Sequence, residues 1–203
     1  MNDIQYFKNC FNTIKQISKD RGFTFVNEYE LINDSEFKYL ITEKKLELIA
    51  KKNNDKDIFY AKFLLFCKVK PSTVKEIVNE ISDIFKDKDI NHLEILLVIQ
   101  FKPNNSIRKL EKEYNNFDLQ IMWCKQLQFN ITKHILVPNH IKLDKNEENF
   151  IIQKYNLKSK FQLPLILKND PISRYYNYQS GDIIKIIKDY NNTNFTTSYR
   201  CCR

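Results

Sequence analysis

Residues 163–188 constrain the fold more than any other stretch, because they compress a whole supersecondary unit into few residues. The apolar run 163–167 reads as a strand, and Asn169-Asp170-Pro171 follows it with an acceptor side chain at a helix N-cap and a proline at the first helical position. That helix must be short, since Ser180-Gly181-Asp182 soon supplies a turn with one of only two glycines in the chain. Ile183-Ile184-Lys185-Ile186-Ile187-Lys188 then reads as a β-branched strand, with residues 195–202, alternating at period two, as its hairpin partner.

Upstream, Asn2-Asp3 is placed to cap an amphipathic helix whose apolar positions Ile4, Phe7, Phe11, Ile14 and Ile17 recur every three or four residues until Gly22. Lys19 and Arg21 fall in its last turn, where the helix dipole favours cations. Residues 23–26 read as a short strand, residues 28–54 carry no decisive period, and Lys51-Lys52-Asn53-Asn54-Asp55 reads as an exposed loop. Residues 58–69 fit a central strand stopped by Pro71, after which Ser72 is expected to cap a helix with Val74, Ile77, Val78, Ile81, Ile84 and Phe85 on one face. Residues 93–101 are almost continuous in Leu, Ile and Val, as a strand covered on both faces requires, and Pro103 ends it. A short helix over 106–114 and a strand over 119–124 complete an α/β order with a partly parallel sheet.

A second unit begins near Phe129, so the 203 residues divide into 1–129 and 130–203, the latter a small α+β unit. Pro138 argues for an extended, edge-like segment over 135–140. Asp144 with Glu147 three residues later makes a capping-box start, with Phe150, Ile151 and Tyr155 as the buried face of the helix that follows. Charge divides unevenly between the units. Residues 1–129 hold 21 basic and 19 acidic side chains, whereas 130–203 hold 12 and 6, so most of the net +8 sits in the C-terminal third. Such an excess suits nucleic acid or an acidic protein partner, and equally a solvated lysine surface.

The motifs exclude most chemistry. No apolar run reaches the length of a membrane span or a signal peptide core, which predicts a soluble, unsecreted chain. Five scattered cysteines without a C-x-x-C pattern predict neither disulfides nor zinc and fit a reduced intracellular setting. Gly22 and Gly181 stand alone, so no phosphate-binding glycine loop exists and no cofactor is expected. His134 and His140 are separated by Pro138, and adjacent Cys201 and Cys202 point to opposite faces of a strand, so neither pair converges on a metal. A metal-dependent nuclease needs an acid on one strand and Glu-x-Lys on the next. The chain offers Glu43-Lys44-Lys45 outside any clear strand and Glu94 with Leu96 at the second position after it. No catalytic residue is expected, a profile that favours an assembly or scaffold protein.

One set of blocks is more specific. His134-Ile135-Leu136-Val137-Pro138-Asn139-His140, Tyr155-Asn156-Leu157, Gln162-Leu163-Pro164, Asp170-Pro171-Ile172-Ser173-Arg174-Tyr175, Gly181-Asp182-Ile183-Ile184-Lys185-Ile186-Ile187 and Ser198-Tyr199-Arg200 occur in order. Together they resemble the fifth common subunit of eukaryotic nuclear RNA polymerases, whose C-terminal part corresponds to a small subunit of the archaeal enzyme. Thr13-Ile14-Lys15 and Lys19-Asp20-Arg21-Gly22-Phe23 are similar to the start of the eukaryotic form. The resemblance implies a non-catalytic subunit with an N-terminal jaw domain (1–129) near downstream duplex DNA and a C-terminal assembly domain (130–203) docked on the largest polymerase subunit. It also implies a jaw of reduced nuclease-like fold without an active site.

Asp170, Pro171, Arg174, Gly181, Tyr199 and Arg200 are the candidate partner-binding residues on these blocks. Asp170, Pro171 and Gly181 are expected to act through backbone geometry, and Arg174 and Arg200 through a partner carboxylate or an internal ion pair. The family usually carries Leu-Pro-Arg where this chain has Leu163-Pro164-Leu165, and Lys-Arg-Gly where it has Gln179-Ser180-Gly181. That drift, with a composition typical of AT-rich genomes, points to a large DNA virus or an AT-rich eukaryote as the source. The readings kept beside the subunit are a freestanding basic nucleic-acid-binding protein and a degenerate nuclease-like domain.

Overall fold

A computed structural model describes residues 3–25, 33–52, 55–66, 68–86, 88–114, 116–190 and 194–203. Asn2, Val26 and Asn53-Asn54, assigned above to a cap, a strand and a loop, lie outside the described residues. The chain divides into two compact units, Met1–Phe129 and Asn130–Arg203. No helix among the described residues is long and apolar enough to cross a membrane.

In the first unit, the three-to-four spacing of apolar residues produces α1 (Asp3–Asp20), which buries Phe7, Cys10, Phe11, Ile14 and Ile17. Gly22 ends it in the left-handed region at φ +85°, where a residue with a Cβ is strained. A five-stranded sheet follows in the order β1 (Thr24–Phe25), β2 (Glu47–Lys51), β3 (Asp57–Leu64), β4 (His92–Ile99), β5 (Asp118–Trp123). The first three strands are antiparallel neighbours, and β4 and β5 run parallel to β3, so the sheet is mixed. Parallel pairing needs crossovers, and α3 (Pro71–Lys86) and α4 (Asn105–Leu110) provide them. Their Val74, Val78, Ile81, Phe85, Ile107 and Leu110 pack on Ile58, Tyr60, Ile95, Leu97 and Ile121. On the other face, Phe11 meets Phe63 and Phe23 meets Phe59 at ring-centroid distances of 5.8 and 5.6 Å.

Several expectations for this unit change. The stretch 28–54 contains α2 (Asp34–Thr42) and β2, neither long enough to show a clear period. Asn33 caps α2 by accepting from the Glu36 amide at 2.8 Å, and only Phe37 and Ile41 are buried on it. The strand expected over 58–69 stops at Leu64, since Phe66 takes φ +60° and turns the chain away. Helix α3 begins at Pro71, so Ser72 lies in its first turn rather than at its cap, and Ile84 is exposed.

Buried polar groups join α1 to the sheet. Arg21, following α1, donates to Glu94 on β4 at 2.8 Å and to Gln120 on β5 at 2.7 Å, with its side chain 4% exposed. The imidazole of His92 lies 3.6 Å from Glu94 and 3.5 Å from Asp118. Burial alone would raise the Glu94 pKa, but His92 and Arg21 overcome it and hold the carboxyl below its usual range. The bond to Glu94 raises the His92 pKa against the opposing effect of burial.

In the second unit, the sheet order is β6 (Asn139–Lys142), β8 (Ile183–Tyr190), β9 (Asn194–Cys202), β7 (Leu165–Ile166). Strand β7 is parallel to β9, and the other pairs are antiparallel. Helix α5 (Lys145–Lys154) contributes Ile151 to the core with Leu143, Leu163, Ile183 and Cys201. Helix α6 (Pro171–Tyr176) contributes Ile172 to a second core with Ile166, Tyr178, Ile184, Ile186 and Cys202. Cys201 and Cys202 thus belong to different cores, as strand alternation requires.

Asp144 forms the expected capping box with Glu147. The expected buried face of α5 is wrong in two of three positions, because Phe150 is 63% and Tyr155 49% exposed. Glu148 takes an inward position instead. Its carboxylate accepts from the Ile183 amide at 3.2 Å and pairs with Lys160, which satisfies a polar group that an apolar pattern cannot register.

Two expectations follow from these polar groups. Removing a partner of a buried ion pair strands the other charge, so Arg21→Ala should cost about 3 kcal/mol of first-unit stability. Urea unfolding read at Trp123, the only tryptophan, measures it. The raised His92 pKa contributes stability that is complete below its unfolded value of about 6.5 and is lost as pH rises through the higher folded value. The Trp123-monitored midpoint should therefore fall between neutral and alkaline pH, and His92→Gln should flatten that fall. In the second unit, Glu148→Ala leaves the Ile183 amide without its acceptor and should cost roughly 1–3 kcal/mol, measurable by circular dichroism during urea unfolding.

Candidate subunit interface

The short helix α6 is fixed at both ends by local chemistry. Asp170 caps it by accepting from the Ile172 amide at 2.9 Å, and Pro171 occupies the first turn, where its missing N–H costs nothing. Asn177 closes the helix in the left-handed region at φ +56°. Gly181, at φ +90°, turns the chain into β8 and donates its amide to the Cys202 carbonyl at 2.9 Å. A Cβ there would meet nothing within 4 Å, so backbone conformation rather than space selects glycine.

Tyr199 and Arg200 stand on β9, opposite Lys185 and Ile184 of β8. The half-buried Tyr199 ring lies 6.1 Å from that of Tyr155. Arg200 is exposed and donates from Nη1 to the Leu165 carbonyl at 3.0 Å, so its guanidinium serves a backbone acceptor within the unit. Asp170 and Arg200 both act on His140, whose Nδ1 donates to the Pro138 carbonyl at 2.7 Å. Burial holds the His140 imidazole below its usual range, Arg200 adds to that, and the Pro138 bond and Asp170 oppose it. The structure therefore gathers Asp170, His140 and Arg200 into one electrostatic neighbourhood. Arg174 is half-buried on α6, and Gly181 and Tyr199 lie elsewhere on the hairpin.

Two residues that sequence reasoning did not single out are Ile135 and Leu136, exposed at 94% and 82%. They follow a 3-10 turn at Ile131–Lys133, and the expected extended segment 135–140 is extended only from Asn139, where edge strand β6 begins. Val137 donates to the His134 carbonyl at 2.8 Å and packs on the α6 core, which turns its two predecessors outward. The pattern Ile-Leu-Val-Pro gives no signal for this, since an apolar triplet reads as buried. Leu165, where the resemblance leads one to expect arginine, is 37% exposed. Gln179 accepts from Lys168 Nζ at 2.7 Å and donates to Asn177.

In the first unit, an open cleft of about 380 Å³ is lined by Lys68, Val69, Ile99, Phe101, Lys102 and Ile107, beyond the C-terminal ends of β3 and β4. Glu94, the strand acid weighed for a nuclease site, is instead engaged by Arg21. Among the described residues no three His, Cys, Asp or Glu side chains converge on a metal position.

Residues 129–202 match the family described as RNA polymerase Rpb5, C-terminal domain. The chain is 29% identical to the DNA-directed RNA polymerases I, II, and III subunit rpabc1 of Dictyostelium discoideum over 204 residues, covering 100% of both chains. It is 28% identical to the DNA-directed RNA polymerase V subunit 5A of Arabidopsis thaliana, over 92% of this chain and 83% of that one. Against the RNA polymerases IV and V subunit 5B of the same plant it is 26% identical, over 93% and 86%. The second unit thus matches that domain, and the chain is similar along its length to those subunits, which together support a fifth common subunit of DNA-directed RNA polymerases.

Proposed function

We propose that this chain is a non-catalytic subunit of a DNA-directed RNA polymerase, with its C-terminal unit as an assembly domain on the largest subunit and its N-terminal unit as a jaw beside downstream duplex DNA. Full-length similarity to polymerase subunits supports the first part and does not favour a freestanding binding protein or a nuclease. The observation that carries the docking role is the outward pair Ile135 and Leu136. A small unit with both sheet faces packed gains nothing from two adjacent aliphatic side chains in water, whereas an interface does. Arg174 and Arg200 border such an interface as cations for partner carboxylates, and Asp170, Pro171, Gly181 and Tyr199 hold the backbone that presents them. The polymerase served sets the compartment, the nucleus for a cellular enzyme and a virion or cytoplasmic factory for a viral one.

DNA contact is assigned to the cleft holding Lys68 and Lys102, which places two cations and an exposed Phe101 at one end of the parallel strands. With a first-unit balance of only +2, this contact is sparse.

Co-purification tests the division of labour. The full chain should travel in stoichiometric amount with the largest subunits, a chain lacking 130–203 should not, and one lacking 1–129 should. Ile135→Glu with Leu136→Glu should lower recovery at least tenfold without changing the circular dichroism spectrum; undiminished recovery would remove this surface from the interface. For DNA, log K against log salt should slope at about −2 for two phosphate contacts, and Lys68→Ala or Lys102→Ala should each reduce the slope by about 1. Salt-independent binding would remove DNA from the reading.

A further inference from the structure

The ladder of the second sheet leaves one edge open. Cys202 donates to Asp182 at 2.9 Å on the β8 side, whereas Cys201 donates to Pro164 at 2.9 Å on the β7 side. Backbone direction alternates along a strand, so Asn194, Thr196, Ser198 and Arg200 face β8, and Phe195, Thr197 and Tyr199 face outward. Strand β7 pairs only with Cys201 and Cys202. Pro164, which precedes it, has no N–H to offer the next carbonyl of β9, so the chain itself stops the pairing there. Among the described residues, no backbone group pairs with the outward N–H and C=O groups of Phe195, Thr197 and Tyr199.

We infer that this edge of β9 receives an added strand from another polymerase subunit. The inference deepens the docking role proposed above and rests on it. The two faces beside the edge define the chemistry of the guest. On one lie Arg200 and Lys188, with Thr196 and Ser198, and β9 carries no acid. On the other lie Tyr199, with Lys185 opposite it, Phe195 at 66% exposure and Leu165 at 37%. The surrounding unit holds 12 basic against 6 acidic side chains. An extended segment with acidic side chains on one face and apolar ones on the other satisfies both, its backbone supplying the partners that β9 lacks. A second copy of this chain fits less well, because it would bring Arg200 and Lys188 against the same cations.

Thr197→Pro separates this edge from the rest of the fold, because it removes an outward N–H and leaves the inward ladder to β8 intact. The full-length variant should keep its thermal midpoint within a few degrees and recover the largest polymerase subunits at least tenfold less well than the wild type. Equal recovery of variant and wild type overturns the inference while the docking role stands; no recovery with the wild type overturns both. Amide hydrogen exchange of the wild type decides the matter even where the variant unfolds. In the free chain the amides of Phe195, Thr197 and Tyr199 should exchange quickly and those of Thr196 and Ser198 slowly, and in the assembled polymerase all five should be slow. Odd-numbered amides that stay fast in the polymerase overturn the inference. So does sedimentation of the free chain as a dimer that Thr197→Pro returns to monomer, since that assigns the edge to a second copy.

Discussion

Eight cross-strand pairs join β8 to β9, from Ile183 with Cys201 to Tyr190 with Asn194, and the rest of the C-terminal unit is laid against that ladder. Its alternation sends Ile183 and Cys201 to one face and Ile184, Ile186 and Cys202 to the other. Each face then needs a cover, and α5 with Leu143 and α6 with Tyr178 provide one each. A one-residue slip in register would exchange the two sets, so Gly181, which turns the chain into β8, fixes more of the unit than its size implies. The Gly181 amide bonded to Cys202 closes the ladder at the turn.

The same logic explains why this unit was the more legible half. Asp170-Pro171, the Asp144 and Glu147 capping box, and the Gly181 turn are local signals, each decided by a side chain within a few residues of the backbone it serves. The structure places all of them where spacing does. Strands β3 and β4 were equally readable, because central strands are apolar on both faces.

What escaped the sequence depends on contacts distant along the chain. Glu148 is buried because the Ile183 amide, 35 residues on, and Lys160 meet its carboxylate, so the apolar period of α5 pointed to Phe150 and Tyr155 and was wrong. Arg21 looked like a cation at a helix end, but Glu94 and Gln120, 73 and 99 residues away, make it the buried tie between α1 and the sheet. The outward Ile135 and Leu136 arise from a turn set by His134 and Val137, which no period encodes. Polar burial and apolar exposure are both tertiary facts, and composition is silent on each.

Charge at the candidate interface follows the same rule, since what a partner meets is a position in space rather than a position in the sequence. Leu165, Gln179 and Ser180 stand where the resemblance leads one to expect cations, which by counting removes positive charge from the patterned segment. The structure moves it instead. Lys168 Nζ sits 2.7 Å from the Gln179 side-chain oxygen, and Arg200 Nη1 sits 3.0 Å from the Leu165 carbonyl. A lysine at 179 would stand against Lys168, a like-charge contact that glutamine turns into a hydrogen bond. An arginine at 165 would bring a second cation to a strand where Arg200 already serves the carbonyl. Lys168 and Arg200, from neighbouring elements, thus stand beside two of the three departures, and positive charge at those two places is set by the fold rather than by the local sequence.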